Sequence, residues 1–123
     1  MRTILLAALL MPLPAAAQDF NCRNLEAEIS CDGGKCEITR DQGFTPMGLT
    51  RRGDVLSICA YSGCSEGRVL VSRTRGGIAM LYADVRRAAT PGGAAEPLAV
   101  LYDRKARTAQ MRWGGFSNTM TCS

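Results

Sequence analysis

Two pairs of cysteines in this chain, Cys31/Cys36 and Cys59/Cys64, each enclose four residues that include glycine. A third pair, Cys22 and Cys122, brackets them near the two ends. Six cysteines permit 15 connectivities, and the spacing argues for one pair among them. Asp32-Gly33-Gly34-Lys35 centres a Gly-Gly pair between Cys31 and Cys36, which suits a two-residue type I′ hairpin turn. Asp32 and Lys35 then close the turn as the hydrogen-bonded pair. Cys31 and Cys36 form the next, non-hydrogen-bonded pair, with Cα atoms about 4.5 Å apart, at the short end of disulfide reach. Cys59 and Cys64 have the same spacing around Tyr61-Ser62-Gly63, so a second local bridge is expected. Cys22 and Cys122 are left to tie the termini together. No C-x-x-C motif is present to suggest a redox-active pair.

An even cysteine count in a short chain reads as a disulfide framework only in an oxidising compartment, and the N-terminus agrees. Arg2 supplies a positive charge, Ile4 to Leu13 is an apolar run interrupted by Pro12, and Pro14 precedes Ala15-Ala16-Ala17. These are the parts of a secretory signal with a small-residue cleavage site. The run is too short to span a bilayer. Asp19-Phe20-Asn21 before Cys22 is no lipobox. Residues 1–17 are therefore expected to be a signal peptide, and residues 18–123 a single disulfide-linked domain, exported to the periplasm or secreted from a bacterium. A domain of that size buries only about two thirds of its unfolded surface, so cross-links of roughly 2–4 kcal/mol each have a physical purpose.

Turn signals recur through the exported part: Gly33-Gly34, Gly43, Gly53-Asp54, Ser62-Gly63, Gly76-Gly77, Pro91-Gly92-Gly93 and Gly114-Gly115. Between them lie short runs of alternating character at 27–31, 36–40, 44–49, 55–61, 68–74, 78–83, 98–102, 109–113 and 116–122. Short strands at such intervals predict an all-β fold, a small antiparallel β-barrel or closed sandwich stapled by disulfides. The last hairpin tests the register. With Gly114-Gly115 at the turn, Trp113 faces Phe116, Met111 faces Asn118 and Ala109 faces Met120, and the other face is polar. Asn118 is the one polar side chain on the apolar face. Residues 98–102 read as a central apolar strand, 103–107 as a charged loop and 90–97 as a Pro/Gly/Ala loop. Residues 82–89 are expected to form a short helix, since alanine and arginine tolerate one.

Charge is unevenly spread. Residues 18–66 carry a net −3 and residues 67–123 a net +6, and thirteen of the fifteen basic residues are arginine. Arg73, Arg75, Arg86, Arg87, Arg104, Arg107 and Arg112 are candidates for one basic face, because guanidinium binds carboxylate and phosphate through two points. A solvated surface is the competing account. Nucleic acid is poorly placed in an exported compartment, and the aromatics do not interleave with the arginines as a stacking platform would.

The chain contains no histidine. Ser-His-Asp and Cys-His catalysis are thereby excluded, as is any metal site that needs imidazole. Gly63-Cys64-Ser65-Glu66-Gly67 matches the nucleophile-elbow pattern but lacks a histidine to activate the serine. Arg52-Gly53-Asp54 spells an adhesion tripeptide and reads better as a tight turn. Asp41, Asp54, Glu66, Asp84, Glu96 and Asp103 are not grouped by spacing as an acid–base pair. Met47, Met80, Met111 and Met120 offer soft thioethers but suit core packing. No cofactor and no metal are implied.

The stretches Leu56-Ser57-Ile58-Cys59-Ala60-Tyr61-Ser62-Gly63-Cys64-Ser65-Glu66-Gly67 and Arg112-Trp113-Gly114-Gly115-Phe116 resemble small exported cysteine-containing proteins of Gram-negative bacteria, a group with no assigned activity. That resemblance implies no mechanism. In architecture alone the chain is similar to periplasmic lysozyme and protease inhibitors, although their Ser-Gly-x-x-Tyr type of loop is absent: Tyr61-Ser62-Gly63 runs into Cys64. The expected function is a non-enzymatic binding module, inhibitory in one form, that docks a protein or anionic envelope partner. The loops 60–67 and 103–107 are the expected contacts, with Arg73, Arg75, Arg104, Arg107 and Tyr61 as binding residues. One alternative is a carrier of small apolar ligands, which requires Met80, Val100, Met111 and Trp113 to line a cavity. The other is a carboxylate-based enzyme.

Overall fold

The computed structural model describes residues 18–61 and 63–123; the expected signal peptide and Ser62 lie outside the described residues. Ten strands run β1 (Phe20–Arg23), β2 (Ala27–Asp32), β3 (Lys35–Arg40), β4 (Met47–Arg52), β5 (Val55–Ala60), β6 (Gly63–Arg75), β7 (Ile78–Arg87), β8 (Glu96–Asp103), β9 (Thr108–Trp113) and β10 (Phe116–Cys122), with one 3-10 turn at Asp41–Gly43. Every pairing is antiparallel. Eight strands close in the order β1-β4-β5-β6-β7-β8-β9-β10, with β10 returning to β1. The fold is a small disulfide-stapled antiparallel β-barrel. Closure gives each of those eight strands a partner on both sides over part of its length; β2 and β3 form a hairpin outside the ring, and β2 pairs with β10 at Phe116 and Ser30.

Glycine shapes the tight turns. Gly33 and Gly34 have φ of 54° and 79°, and Gly76 and Gly77 have 60° and 80°. This is the left-handed backbone a type I′ turn demands at both central positions. Gly53 at φ 60° makes the two-residue turn between Arg52 and its partner Val55, so the adhesion-like tripeptide is a hairpin tip.

Three disulfides join Cys22 to Cys122, Cys31 to Cys36 and Cys59 to Cys64, with Cα separations of 3.9, 4.1 and 4.0 Å. The two local bridges are cross-strand pairs within hairpins. Cys22–Cys122 joins β1 to β10, where the barrel closes. Such bridges persist in oxidising surroundings. Among the described residues no helix is long and apolar enough to cross a membrane.

Alternation along each strand sends one set of side chains inward. Met47 and Leu49 (β4), Leu56 and Ile58 (β5), Leu81, Ala83 and Val85 (β7), Leu98, Val100 and Tyr102 (β8), Ala109 and Met111 (β9) and Met120 (β10) form one buried cluster with Phe20 and Cys22. The last hairpin has the expected register: Trp113 opposite Phe116, Met111 opposite Asn118 and Ala109 opposite Met120.

Asn118, the discordant residue, is buried and accounted for. Its Oδ1 accepts a 2.6 Å hydrogen bond from Ile29 N–H, and its Nδ2 lies 3.3 Å from Met47 Sδ. The amide thus ties the external hairpin to the barrel wall. Asn24 does similar work where the chain leaves β1: Oδ1 accepts from Met47 N–H at 2.6 Å, and Nδ2 donates to Thr45 O at 2.9 Å.

One expectation is corrected. Residues 82–89 are not helical; residues 78–87 are the single strand β7, because Leu81, Ala83 and Val85 fill the interior at period two and that burial outweighs weak helix propensity. The expected central strand over 98–102 is β8, between β7 and β9; its Ala99 and Leu101 face outward, since a barrel wall has one solvent side, and Leu101 is 45% exposed.

Candidate functional site

The turns fall into two sets. The β5–β6 turn, the β7–β8 loop and the β9–β10 turn share one end of the barrel, here called the upper end. The β4–β5 and β6–β7 turns and the β8–β9 loop share the lower end. β6 is the longest strand at 13 residues, and its second half pairs only with β7. A bulge between Val69 and Val71 changes its register. Beyond it, Val71, Arg73 and Arg75 lie opposite the outward-facing Tyr82, Met80 and Ile78. On β8, Leu101 lies opposite Met80, and Asp103 opposite Ile78.

The outer face of β6–β8 therefore carries a cluster of large exposed apolar side chains: Val71 at 47%, Ile78 at 40%, Met80 at 43% and Leu101 at 45%. Beside Leu101, a shallow depression of about 310 Å³ is bordered by Gln110, Arg112 and Ser117. Tyr82 continues the face, and its hydroxyl donates to Asp84 Oδ1 at 2.7 Å. That hydrogen bond, before any other influence, raises the phenol above its ordinary value.

The seven candidate arginines do not form one face. Arg73 and Arg75 flank the apolar cluster. Arg104 adjoins them through its N–H to Gly77 O, 3.4 Å. Arg107 closes the same loop in the left-handed region at φ 56°, its carbonyl accepting from Cys122 N–H at 2.8 Å. Arg86 and Arg87 lie toward the upper end, and Arg112 stands on the outer wall of β9, opposite Ala99. Tyr61, 79% exposed, is on the β5–β6 turn at the upper end. The two loops expected as contacts, 60–67 and 103–107, are at opposite ends of the barrel.

The upper end is a mouth. Ala60, Gly63, Ser65, Val85, Arg87, Glu96, Trp113 and Phe116 surround a cavity of about 490 Å³. Trp113 and Phe116 stack with ring centroids 6.2 Å apart, and Trp113 Nε1 is buried without a hydrogen-bond acceptor. The Gly63–Gly67 motif contributes to this mouth from within a strand, with no strand-turn-helix elbow. Its glycines have packing reasons. A Cβ on Gly63 would collide with the Arg87 guanidinium, and one on Gly67 with the Asp84 carbonyl oxygen.

No protein-family model, curated protein or solved structure matches this chain.

Of the four residues named for an apolar carrier, Val100 and Met111 are 2% exposed within the core. Met80 is outside the barrel and Trp113 lines the mouth. Met47, Met111 and Met120 are core residues, whereas Met80 is on the outer face. Among the described residues no group of three or more His, Cys, Asp or Glu side chains is placed to hold a metal ion. The outer apolar face was missed in the sequence because Met80 and Leu101 read as core; the alternation that sends them outward depends on the partner strands. The mouth was missed because its residues come from six strands.

Proposed function

We propose that this protein is an exported, non-enzymatic binding module of the bacterial periplasm or exterior, and that it docks a protein partner with an acidic surface. The observation that carries this reading is the exposed row Val71, Ile78, Met80 and Leu101, flanked by Arg73, Arg75 and Arg104. Contiguous apolar side chains left in water mark an interaction surface. Guanidinium groups at its rim favour a partner with carboxylates and speed the encounter. The second half of β6 pairs only with β7, which leaves this surface accessible. A non-catalytic role agrees with a Ser65 set in a strand between glycines kept for packing, and with the absence of histidine from the sequence.

The test is photo-crosslinking in the native cells, with a photoreactive residue in place of Leu101 and, separately, in place of Tyr61. The expected result is one protein adduct from position 101, none from 61, and loss of the adduct in Arg73→Glu/Arg75→Glu. No adduct from 101, the same adduct from both positions, or an adduct indifferent to the arginines would overturn the proposal.

A further inference from the structure

The upper mouth is a second feature, separate from the outer face of β6–β8, and it combines groups that a packed barrel end does not need. Its residues lie on the inward-facing positions of consecutive strands: Ser65 opposite Arg87, Val85 opposite Glu96 and Leu98 opposite Trp113. Arg87 and Glu96 thus stand on neighbouring strands with side chains of opposite charge beside one cavity. Neither is in an ion pair among the described residues, where the one salt bridge is Arg68–Asp54. Gly63 leaves the space in which the Arg87 guanidinium lies. Ala60, Val85, Trp113 and Phe116 give the lining its apolar and aromatic part, and Ser65 and Tyr61 add a hydroxyl each.

We propose that this mouth binds a small zwitterionic amino compound, a free amino acid or short peptide with an aromatic or bulky apolar side chain. Its carboxylate pairs with Arg87, its ammonium pairs with Glu96, and its side chain packs on the Trp113–Phe116 wall. The charges decide against other ligands. A purely apolar molecule would desolvate both charged groups and return no partner to either. A simple anion would satisfy Arg87 and leave Glu96 facing a like charge. A zwitterion satisfies both, and bidentate pairing suits guanidinium to carboxylate. The volume of about 490 Å³ lies within the range of small-molecule sites and encloses roughly one to three amino-acid residues.

Trp113 is the chain's single tryptophan, so intrinsic fluorescence reports on the mouth directly. The experiment titrates purified protein, at low salt, with phenylalanine and phenylalanyl-phenylalanine, and with their N-acetylated and C-amidated forms. The proposal expects a saturable emission change with a free zwitterion and at least tenfold weaker binding for each blocked form. Arg87→Met should abolish the preference for a free carboxylate, and Glu96→Gln the preference for a free ammonium. Equal binding of blocked and free compounds would overturn it. So would a preference unchanged in both variants, or no saturable change up to about 10 mM, weaker than useful specific affinity. The blocked-ligand comparison uses the unaltered protein and stands even if a variant misfolds. It is independent of the crosslinking at position 101, so each reading fails on its own.

Discussion

At the lower end of the barrel Phe20 stacks on Tyr102 with ring centroids 4.4 Å apart, both rings are buried, and the buried Cys22–Cys122 bridge crosses the strands beside them. At the upper end Trp113 stacks on Phe116 at 6.2 Å, both are only partly buried, and a cavity of about 490 Å³ lies against them. The bridge there, Cys59–Cys64, faces outward on the β5–β6 hairpin. The two ends of one barrel are thus finished in two ways. One end spends its aromatics on burial, which is where stability comes from. The other leaves them beside open space together with unpaired charges, an arrangement that contributes little to folding and suits recognition.

The two disulfides test that contrast most strongly. Cys22 and Cys122 are 100 residues apart, whereas Cys59 and Cys64 are 5 apart. On the chain-entropy model, a loop of about 100 residues is worth about 4.7 kcal/mol and a loop of about six residues about 2 kcal/mol. Replacing Cys22 and Cys122 together by serine should therefore lower stability at least twice as much as replacing Cys59 and Cys64, measured by urea unfolding. The excess should grow further because Cys22 and Cys122 are buried and their loss opens the lower core. Equal losses would mean that the closing seam adds nothing beyond a hairpin staple.

The aromatic pairs give the next effect. Phe20→Ala removes a ring that is 5% exposed and should cost about 3–5 kcal/mol. Phe116→Ala removes a partly buried ring at the rim and should cost about half as much, since less of it leaves water on folding. Thermal or denaturant unfolding of the two variants checks the ratio. A Phe116→Ala loss as large as that of Phe20→Ala would show that the mouth is packed like the floor.

What the sequence made legible follows the range of the interactions. The Cys31–Cys36 hairpin was readable because turn chemistry, spacing and pairing all lie within six residues; so was the Trp113/Phe116 register. β1 was not foreseen, since Phe20–Arg23 has only four residues and gains its strand character from β4 and β10. β7 was misread over its second half, because alanine and arginine have little intrinsic preference and the barrel interior decides. The arginines illustrate the limit on sites. Their density was visible, but whether Arg75 neighbours Arg104 or Arg87 depends on which strand ends coincide. The mouth needed more still: Arg87 and Glu96 are 9 positions apart in the numbering with a loop between them, and only antiparallel pairing of β7 with β8 places both beside Trp113.

The smallest expected effect is the most discriminating for the mouth. Trp113 Nε1 is buried with no acceptor. Leaving such a donor unpaired costs about 1–3 kcal/mol, while trimming indole to phenyl forfeits part of a half-exposed apolar surface. The two contributions oppose each other, so Trp113→Phe should lie within about 1 kcal/mol of the parent in urea unfolding. At the lower end no such cancellation exists, because Phe20 and Tyr102 bury their rings against each other. A loss above about 2 kcal/mol for Trp113→Phe would mean that the indole is held by an acceptor in solution, and that the upper end, like the lower, is built for stability. A near-neutral result would leave the indole as a side chain kept at the mouth for something other than folding, and hydrogen–deuterium exchange would then find the β9–β10 turn opening more readily than the Cys22–Cys122 seam.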